Sequence, residues 1–417
     1  MSPVRPNVCV VGLRLEPEHH RLRDLLTRAA QPFEWLEAGS PEADELLARH
    51  DAVGAELPVL VDDDGAHAGL TVERLMGLWD LSTPPVRGDY DIAIVGGGPA
   101  GLAAAVYAAS DGLSTLVLER DLPGGQASHT SLIENFFGFP EGIGGAELAR
   151  LAGRQAERFG AEIVFRGVVG DGPGAGGARR LAIAGGHMVA ARVTVVAPGM
   201  DWRRLDVKGV DELLGRGVYY GAGRSEAMQC GDDDVLVVGA GNSAGQAVLN
   251  LANAGARVKV LVRGRRLGKT MSAYLVERIE RHPLIDVRFA TEVRELHAEE
   301  HLEAVTVEGP GGEERLGAVA LFICIGGQPR TGWAADAGVA LDRSGYVLTG
   351  PDLLERGRRP AGWPLDRDPL ALETSVPGVF AAGDVRHGST KRVAGAVGEG
   401  AMAAALAHRR LAELDDR

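Results

Sequence analysis

The sequence predicts an α/β protein made of several units, in which parallel sheets are covered by helices. Short apolar runs typical of buried strands alternate with helix-length segments along most of the chain. Two of those runs end in glycine clusters that begin a helix, one at Gly96 and one at Gly239. The chain has 417 residues, which exceeds what one hydrophobic core usually organises. Together these observations predict more than one α/β domain.

Composition and charge exclude several classes of protein. The formal net charge of −13 argues against non-specific binding to nucleic acid or to an anionic membrane, because both need a clustered positive surface. No apolar stretch reaches the roughly 18 to 20 residues that span a bilayer, and the first 20 residues become charged before a signal-like run develops. We therefore expect no nucleic-acid partner, no membrane partner and a cytoplasmic location.

The cysteines predict neither a disulfide framework nor a metal site. Only Cys9, Cys230 and Cys324 occur, widely separated and without a CxxC pair. This pattern suits a reducing compartment.

Residues 1–85 are predicted to form a small α/β unit, which we call the N-terminal unit. The predicted elements are strand 7–13, helix 18–30, strand 33–36, helix 41–50, strand 59–61, a hairpin turn at Asp64-Gly65 and helix 71–78. This order resembles the thioredoxin or glutaredoxin fold. The dithiol that such domains carry after their first strand is missing, because residues 13–20 contain no cysteine. We therefore favour a docking or structural role over a redox role.

The first glycine cluster lies in a strand–helix–strand pattern, with strand 91–95, helix 102–110 and strand 114–118. Gly96 permits the tight turn, Gly98 lets the backbone approach a pyrophosphate and Gly101 allows the helix to pack closely on the strand. Pro99 and Ala100 complete the cluster, and Glu119 stands where an acid accepts from a ribose hydroxyl. The pattern predicts a dinucleotide site rather than a simple glycine turn.

A second cluster follows strand 235–238 and consists of Gly239, Gly241, Asn242, Ser243 and Ala244. Ala244 replaces the third glycine, which the motif tolerates. A helix at 245–253 and a strand at 257–262 come next. That strand ends not in an acid but in three arginines, Arg263, Arg265 and Arg266. Arginines suit a 2′-phosphate, so NADPH is preferred to NADH, the alternative being a solvated basic loop.

From Asp89 to the C-terminus the sequence resembles low-molecular-weight thioredoxin reductases. The matching segments are Gly124-Gly125-Gln126, Ile133-Glu134-Asn135-Phe136, Gly215-Arg216-Gly217-Val218, residues 374–384 and Lys391-Arg392-Val393-Ala394. The resemblance implies that FAD occupies the first site. It implies contacts of Gly383 and Asp384 with the ribityl chain, of Gly125, Gln126 and Asn135 around the isoalloxazine, and of Lys391, Arg392 and Val393 at the pyrimidine end. For Gly383-Asp384, a simple turn is the alternative.

One departure from that family changes the expected chemistry. Thioredoxin reductases carry a Cys-Ala-Thr-Cys-Asp motif after the Gly-Arg-Gly-Val turn, whereas residues 219–226 here contain no cysteine. Cys230 alone cannot supply an attacking and a resolving thiol, and we expect it to be inert packing. Reduction of thioredoxin by the family's mechanism is therefore not expected. Glu226 and Arg224 are candidate catalytic residues facing the flavin, Glu226 as a proton donor, with solvent exposure as the alternative.

The predicted organisation has three parts. After the N-terminal unit comes an FAD unit in two pieces, residues 86–203 and 326–417, with a nicotinamide unit at residues 204–325 inserted between them. Apolar strands end at Ala197-Pro198-Gly199 and Ile325-Gly326-Gly327, which suit hinges. The resemblance implies that the nicotinamide unit rotates about them, and it also implies a homodimer.

The predicted function is transfer of hydride from NADPH, or NADH, to FAD and onward to an external acceptor, either a small molecule or a redox protein. Three alternatives remain: a ferredoxin-NADP reductase, an external disulfide reductase, and a non-catalytic FAD-binding sensor or scaffold. Against the first, residues 404–417 contain no aromatic side chain to cover the flavin. Against the third, a scaffold has no need of a nicotinamide site.

Overall fold

The computed structural model describes residues 5–81, 83–174, 178–221, 224–269 and 271–416. The helices are α1 Pro17–Arg28, α2 Pro41–Arg49, α3 Val72–Leu78, α4 Pro99–Ser110, α5 Gly145–Arg158, α6 Arg224–Gln229, α7 Asn242–Asn253, α8 Ala273–Arg281, α9 Gly332–Asp336 and α10 Val393–Asp415. Within these ranges, no helix is both long enough and apolar enough to cross a membrane.

The strands alternate with these helices in chain order. They are β1 Cys9–Gly12, β2 Glu34–Glu37, β3 Val59–Asp62, β4 Gly65–His67, β5 Asp89–Val95, β6 Thr115–Leu118, β7 Glu162–Val164, β8 Val168–Pro173, β9 Arg179–Ile183, β10 His187–Val196, β11 Met200–Trp202, β12 Val218–Tyr220, β13 Asp234–Val238, β14 Arg257–Val262, β15 Ile285–Phe289, β16 Glu292–Ala298, β17 Leu302–Gly309, β18 Gly312–Gly317, β19 Ala320–Ile323, β20 Gly327–Pro329 and β21 Val379–Ala381.

The N-terminal unit has a four-stranded sheet in the order β2-β1-β3-β4. β1 pairs with β2 in parallel and with β3 antiparallel, and β3 and β4 form the hairpin predicted at Asp64-Gly65. The helices begin where capping chemistry favours it: Pro17 opens α1, and the Thr71 hydroxyl accepts the N–H of Arg74 at 3.2 Å. The predicted order of strands and helices is confirmed, with bounds shifted by one or two residues.

The FAD unit is organised by the sheet β7-β6-β5-β10-β9-β8. Its strands β7, β6, β5 and β10 are parallel, and β8 and β9 are an antiparallel extension. The late strand β21 adds to β10 in parallel, with Thr194 opposite Val379. The chain therefore returns to the sheet of the FAD unit after it has formed the sheets of the nicotinamide unit.

The nicotinamide unit has a fully parallel sheet, β12-β19-β13-β14-β15, with a small antiparallel sheet β16-β17-β18 beside it. The buried residues of strands β13, β14 and β19 are all apolar because helices or the second sheet cover both faces of a parallel sheet. At the two crossovers, β11 and β20 pair antiparallel, with Trp202 opposite Gly327. The predicted boundaries at 203/204 and 325/326 lie beside this pair and remain a prediction.

Two glycines let α4 approach its neighbours unusually closely. A Cβ on Gly101 would lie 1.8 Å from the carbonyl oxygen of Gly96, at the end of β5. A Cβ on Gly400, in α10, would lie 2.0 Å from the carbonyl oxygen of Ala100. Both contacts are with backbone, which cannot swing away as a side chain can. The close packing of α4 against β5 and α10 therefore depends on glycine at both positions.

Replacing Gly400 with alanine is expected to destabilise the protein by about 1–3 kcal/mol, because the methyl group overpacks a backbone contact. The matched control is Gly398→Ala on the same helix, where a Cβ would meet nothing within 4 Å. That change should be neutral or stabilising by up to about 1 kcal/mol through helix propensity. Urea unfolding followed by circular dichroism measures both, and equal stabilities for the two variants would contradict the packing account.

Candidate functional site

A large cavity lies where the carboxyl ends of the two parallel sheets face each other. Its volume is about 1310 Å³, more than the roughly 300–1,000 Å³ typical of a pocket for one small ligand. The predicted site residues that line it are Gly98, Pro99, Ala100, Glu119, Gly125, Gln126, Asn135, Gly239, Gly241, Asn242, Ser243, Arg263, Gly383, Asp384, Lys391, Arg392 and Val393. The fold thus brings residues of both glycine clusters into one chamber.

The first cluster forms a cradle at the start of α4. Gly96 has φ +104°, and a Cβ there would lie 2.3 Å from the carbonyl oxygen of Ala197. Only glycine therefore fits at this point of the turn. Gly98 directly precedes α4, and a Cβ on it would meet nothing within 4 Å. The open space at Gly98 and the unpaired N–H groups of the helix N-terminus suit an anionic group such as a pyrophosphate.

Glu119 is the buried acid of this cradle. One carboxylate oxygen accepts the backbone N–H of Gly97 at 2.6 Å, and the other accepts that of Asp121 at 3.1 Å. Burial raises the pKa of Glu119, and these two hydrogen bonds oppose the shift only in part. The carboxylate is therefore fixed beside the phosphate cradle and lines the cavity.

Asp384 lies at the other end of the FAD side, just after β21. Burial raises its pKa, and no described residue donates a hydrogen bond to its carboxylate. The ammonium group of Lys391 instead donates to the backbone oxygen of Asp384 at 2.5 Å and to the Ser389 hydroxyl at 2.6 Å. A half-buried carboxylate without a donor suits a hydroxyl-bearing ligand chain.

The segment with Gly125 and Gln126 connects these two ends. Gly125 has φ +53°, and a Cβ there would lie 3.4 Å from the Cα of Gly98. The Gln126 amide donates to the carbonyl of Met200 at 3.0 Å, which fixes the side chain against the crossover. Asn135 lies exposed at the cavity edge. With a cradle, an acid and an available carboxylate in one groove, the residues present fit an elongated dinucleotide such as FAD.

The second cluster repeats the same geometry at the start of α7. A Cβ on Gly239 would lie 2.3 Å from the carbonyl oxygen of Cys324, whereas a Cβ on Gly241 would meet nothing within 4 Å. The Asn242 side chain accepts the N–H of Ser272 at 2.7 Å, which ties the turn to the start of α8. Ala244 is buried and packs inside the unit rather than lining the cavity.

The arginines after β14 divide between the cavity and the surface. Arg263 is exposed and lines the cavity, while Arg265 and Arg266 are exposed but do not line it. No ion pair joins any of the three to another described residue. Arg294, which also lines the cavity, was missed from the sequence because it lies on β16, outside any recognisable motif.

Two polar contacts hold the units face to face across the cavity. The Gln246 amide, on α7, donates to the carbonyl of Leu132 at 3.2 Å. Arg278, on α8, donates to both carboxylate oxygens of Glu134 at 2.8 and 2.9 Å. In this arrangement the segment 132–135 of the FAD unit contacts the nicotinamide unit directly.

Of the two candidate catalytic residues, Glu226 does not lie at the cavity. Glu226 is 6% exposed and does not line the cavity; its carboxylate lies 3.6 Å from Nδ1 of His20, in the N-terminal unit. The expectation that Glu226 faces the flavin is corrected, because α1 packs against α6. The side chain of Arg224 lies outside the described residues.

Cys230 is 3% exposed, and burial raises its pKa to about 11. A thiol with that pKa carries almost no thiolate at neutral pH, which agrees with the expected packing role.

Comparisons with known proteins agree with this geometry. A family model described as pyridine nucleotide-disulphide oxidoreductase matches residues 90–400. A thioredoxin reductase of Bacillus subtilis (strain 168) is 33% identical over 334 residues, which cover 78% of this chain and 96% of that protein. Thioredoxin reductase structures from T. acidophilum and from Lactococcus lactis (FR conformation) are 28% and 27% identical, each with a TM-score of 0.68. They match 78% of this chain and 100% and 99% of theirs.

The matched region contains both glycine clusters and leaves out the N-terminal unit. The chain therefore belongs to the pyridine nucleotide-disulphide oxidoreductase family, as a thioredoxin reductase-like oxidoreductase that uses FAD and NADPH or NADH.

Proposed function

We propose that this protein transfers hydride from NADPH to FAD within the large cavity and passes the electrons to an external acceptor, not to an internal disulfide. The observation that carries the proposal is the cavity itself, which both glycine clusters line without a wall between them. Overall, NADPH and a proton would be consumed, and the acceptor would gain two electrons and two protons. The acceptor is a small molecule or a redox protein.

On the FAD side, each residue would hold one part of an extended cofactor. The cradle of Gly96, Gly98, Pro99, Ala100 and Gly101 would bind the pyrophosphate, and Glu119 would accept from the adenosine ribose. Asp384 would accept from the ribityl hydroxyls. Gly125, Gln126, Asn135 and the start of α10 at Val393 would surround the flavin ring. The flavin, when bound, supplies the ability to accept a hydride and release electrons.

On the nicotinamide side, the turn at Gly239 and Gly241 would bind the second pyrophosphate at the N-terminus of α7. Arg263 would approach a 2′-phosphate from the cavity side. Arg265 and Arg266 belong to the same exposed loop, and they have no carboxylate partner among the described residues, so a phosphate would not have to displace one. This favours NADPH over NADH.

The two cysteines of the family's dithiol motif are not replaced by any other redox-active side chain here. Gly221 and Arg224 stand where that motif has cysteines, and the nearby Cys230 thiol is buried and protonated. This supports an acceptor outside the chain. A cytoplasmic homodimer, which the resemblance implies, is part of the proposal, and light scattering on the purified protein measures the oligomeric state.

The direct test is anaerobic stopped-flow absorbance of the flavin band near 450 nm. Mixing with NADPH is expected to bleach the band rapidly, and mixing with NADH more slowly, because the arginine loop favours a 2′-phosphate. If the purified protein is yellow and neither nucleotide bleaches it, the proposed function is wrong and a sensor role is favoured.

Substituting Arg263, Arg265 and Arg266 together by alanine tests the coenzyme preference. The KM for NADPH is expected to rise about 10- to 100-fold through loss of charged hydrogen bonds, with little change for NADH. Arg281→Ala, on the exposed face of α8, is the matched control and should leave both values unchanged. Equal effects on the two nucleotides would show that the loop does not recognise the phosphate.

The buried Glu119 makes the binding of FAD depend on pH. Because the pKa of Glu119 is raised in the folded protein, the charged carboxylate is disfavoured, and its contribution to apoprotein stability is lost as the pH rises through that pKa. Ribose hydroxyls that donate to the carboxylate favour its charged form and lower the pKa again. FAD affinity should therefore increase as the pH rises through the pKa of the apoprotein.

Fluorescence titration of the apoprotein with FAD at a series of pH values from mildly acidic to mildly alkaline measures this dependence. Glu119→Gln should bind FAD more weakly and lose the pH dependence, whereas Glu280→Gln, an exposed change on α8, should keep both. An unchanged pH profile in Glu119→Gln would assign the dependence to another group.

A further inference from the structure

Helix α1 of the N-terminal unit lies across both dinucleotide-binding units. Toward the FAD unit, Arg28 forms a two-pronged ion pair with Asp121, at 2.8 and 3.2 Å. On the same side, Asp24 lies 3.7 Å from His129. Asp24, Arg28, Asp121 and His129 all line the large cavity, so α1 forms part of its wall.

An apolar contact anchors the N-terminal unit to the FAD unit. Leu122 is 4% exposed because it belongs to the hydrophobic core of the N-terminal unit, together with Leu22, Leu25 and Leu26. Phe165 of the FAD unit packs against the same cluster. A core that two units share indicates a permanent association, since separating them would expose this apolar surface.

The contact with the nicotinamide unit is polar. Arg14 pairs with Asp233 at 3.0 Å. His20 packs on Tyr219, with ring centroids 4.8 Å apart, and its Nδ1 lies 3.6 Å from Glu226. We call the surface formed by Gly215, Tyr219, Glu226, Cys230 and Asp233 the covered face.

The covered face is buried from solvent where α1 packs on it. Glu226 is 6% exposed and Cys230 3%, and Arg23, which packs in from α1, is 1% exposed. Burial lowers the pKa of Arg23, and the charge of Glu226 opposes that shift. No ion pair joins Arg23 to Glu226, and Nε and Nη1 of Arg23 and Oε1 of Glu226 have no hydrogen-bond partner among the described residues, so it is the low exposure that marks this contact as a docked surface.

The covered face adjoins the segment that replaces the redox dithiol of related proteins; a Cβ on Gly221, at the first cysteine position, would lie near Trp202 and His129 of the FAD unit. Residues 219–226 replace the dithiol segment of thioredoxin reductases, and α1 begins where a thioredoxin-like domain has its own dithiol. Pro17 and His20 of α1 lie against Gly215 and Tyr219, and neither residues 13–28 nor residues 219–226 contain a cysteine. A protein acceptor has no room to dock at this face while α1 occupies it.

We propose that the N-terminal unit is a built-in partner that occupies the covered face and fastens the nicotinamide unit to the FAD unit in the arrangement with one cavity. Electrons then leave through the cavity to a small acceptor and not through a docked protein. A quinone is one such acceptor: it takes a hydride equivalent and a proton and becomes a hydroquinone. This inference rests on the proposed function, and it predicts that turnover needs no rotation of the nicotinamide unit.

The first experiment locks the contact with a disulfide in the full-length protein. A Cβ on Gly215 would lie 3.6 Å from the Cβ of His20, which is within the range that a disulfide spans. It would also lie 2.9 Å from the Cα of Pro17, and Gly215 has φ +81°, so the substitution strains this turn in the oxidised and the reduced form alike. His20→Cys combined with Gly215→Cys should form the bond, and the same variant after reduction is its own control. NADPH-dependent reduction of benzoquinone is expected to agree within about twofold between locked and reduced forms, because gating by domain rotation is not required.

The second experiment loosens the contact. Arg14→Asp places like charges together at Asp233, so Cys230 should become labelled by a thiol reagent at least about tenfold faster, as local opening exposes it. Flavin bleaching by NADPH should slow in parallel. Arg14→Asp with Asp233→Arg should restore both, and Arg49→Asp, on an exposed pair at Glu45 of α2, should change neither. Peptide mass spectrometry separates labelling of Cys230 from that of Cys9 and Cys324.

Three results would overturn the inference. The first is a locked form whose quinone turnover collapses while its flavin still bleaches. The second is unchanged Cys230 labelling in Arg14→Asp. The third is reduction of thioredoxin disulfide by the intact protein as fast as reduction of the quinone. Failure of the proposed function can be told apart from failure of this inference. If NADPH does not bleach the flavin of the unmodified protein, the proposed function is wrong, but the Cys230 labelling comparison still tests whether the N-terminal unit is docked.

Discussion

The structure depends on how closely helix α4 approaches the backbone around it. Gly101 lets α4 lie against the end of β5, and Gly400 lets α10 lie against the start of α4. Both helices then begin at the same end of the sheet, so their N-termini and the loops before them face one groove. A side chain at either glycine would push α4 away from β5 or from α10, and so displace the glycine turn that forms the cradle.

The second constraint is the relative placement of the two dinucleotide-binding units, because a shared cavity exists only while they face each other. Arg278 with Glu134 and Gln246 with Leu132 join them directly, but isolated polar contacts near the surface contribute little stability. The N-terminal unit adds a second bridge. Its apolar contact with Leu122 holds it to the FAD unit, and the ion pair of Arg14 with Asp233 fixes its position on the nicotinamide unit.

The loss of the dithiol changes what such an arrangement can be used for. A protein that passes electrons through an internal dithiol must bring that dithiol to the flavin and then to its partner. Here the corresponding segment contains no cysteine, and burial raises the pKa of the nearby Cys230 thiol, so neither step has a reactive group. A cavity that is open to a small acceptor is consistent with the absence of the dithiol, because the flavin could then pass its electrons to the acceptor without a thiol of the chain.

The sequence alone determined the elements and the glycine clusters, because these follow from local rules. Apolar runs, Pro17 at a helix start, Thr71 as a cap and the spacing of Gly96, Gly98 and Gly101 all act through neighbours a few residues away. Glu119 could be predicted for the same reason, since it stands at the spacing expected for the acid of the motif, whereas Asp384 was indicated by the resemblance to thioredoxin reductases.

Tertiary structure decided the rest, because burial and charge pairing join residues that are far apart in the chain. Glu226 looked like a flavin-facing acid, but α1, some 200 residues earlier, buries it against His20. Arg263 and Arg265 are near neighbours in sequence, yet only Arg263 lines the cavity, and Arg294 reaches the cavity from another strand. No local pattern in the sequence encodes which surface a separate unit will cover, since that choice depends on complementarity between two folded surfaces.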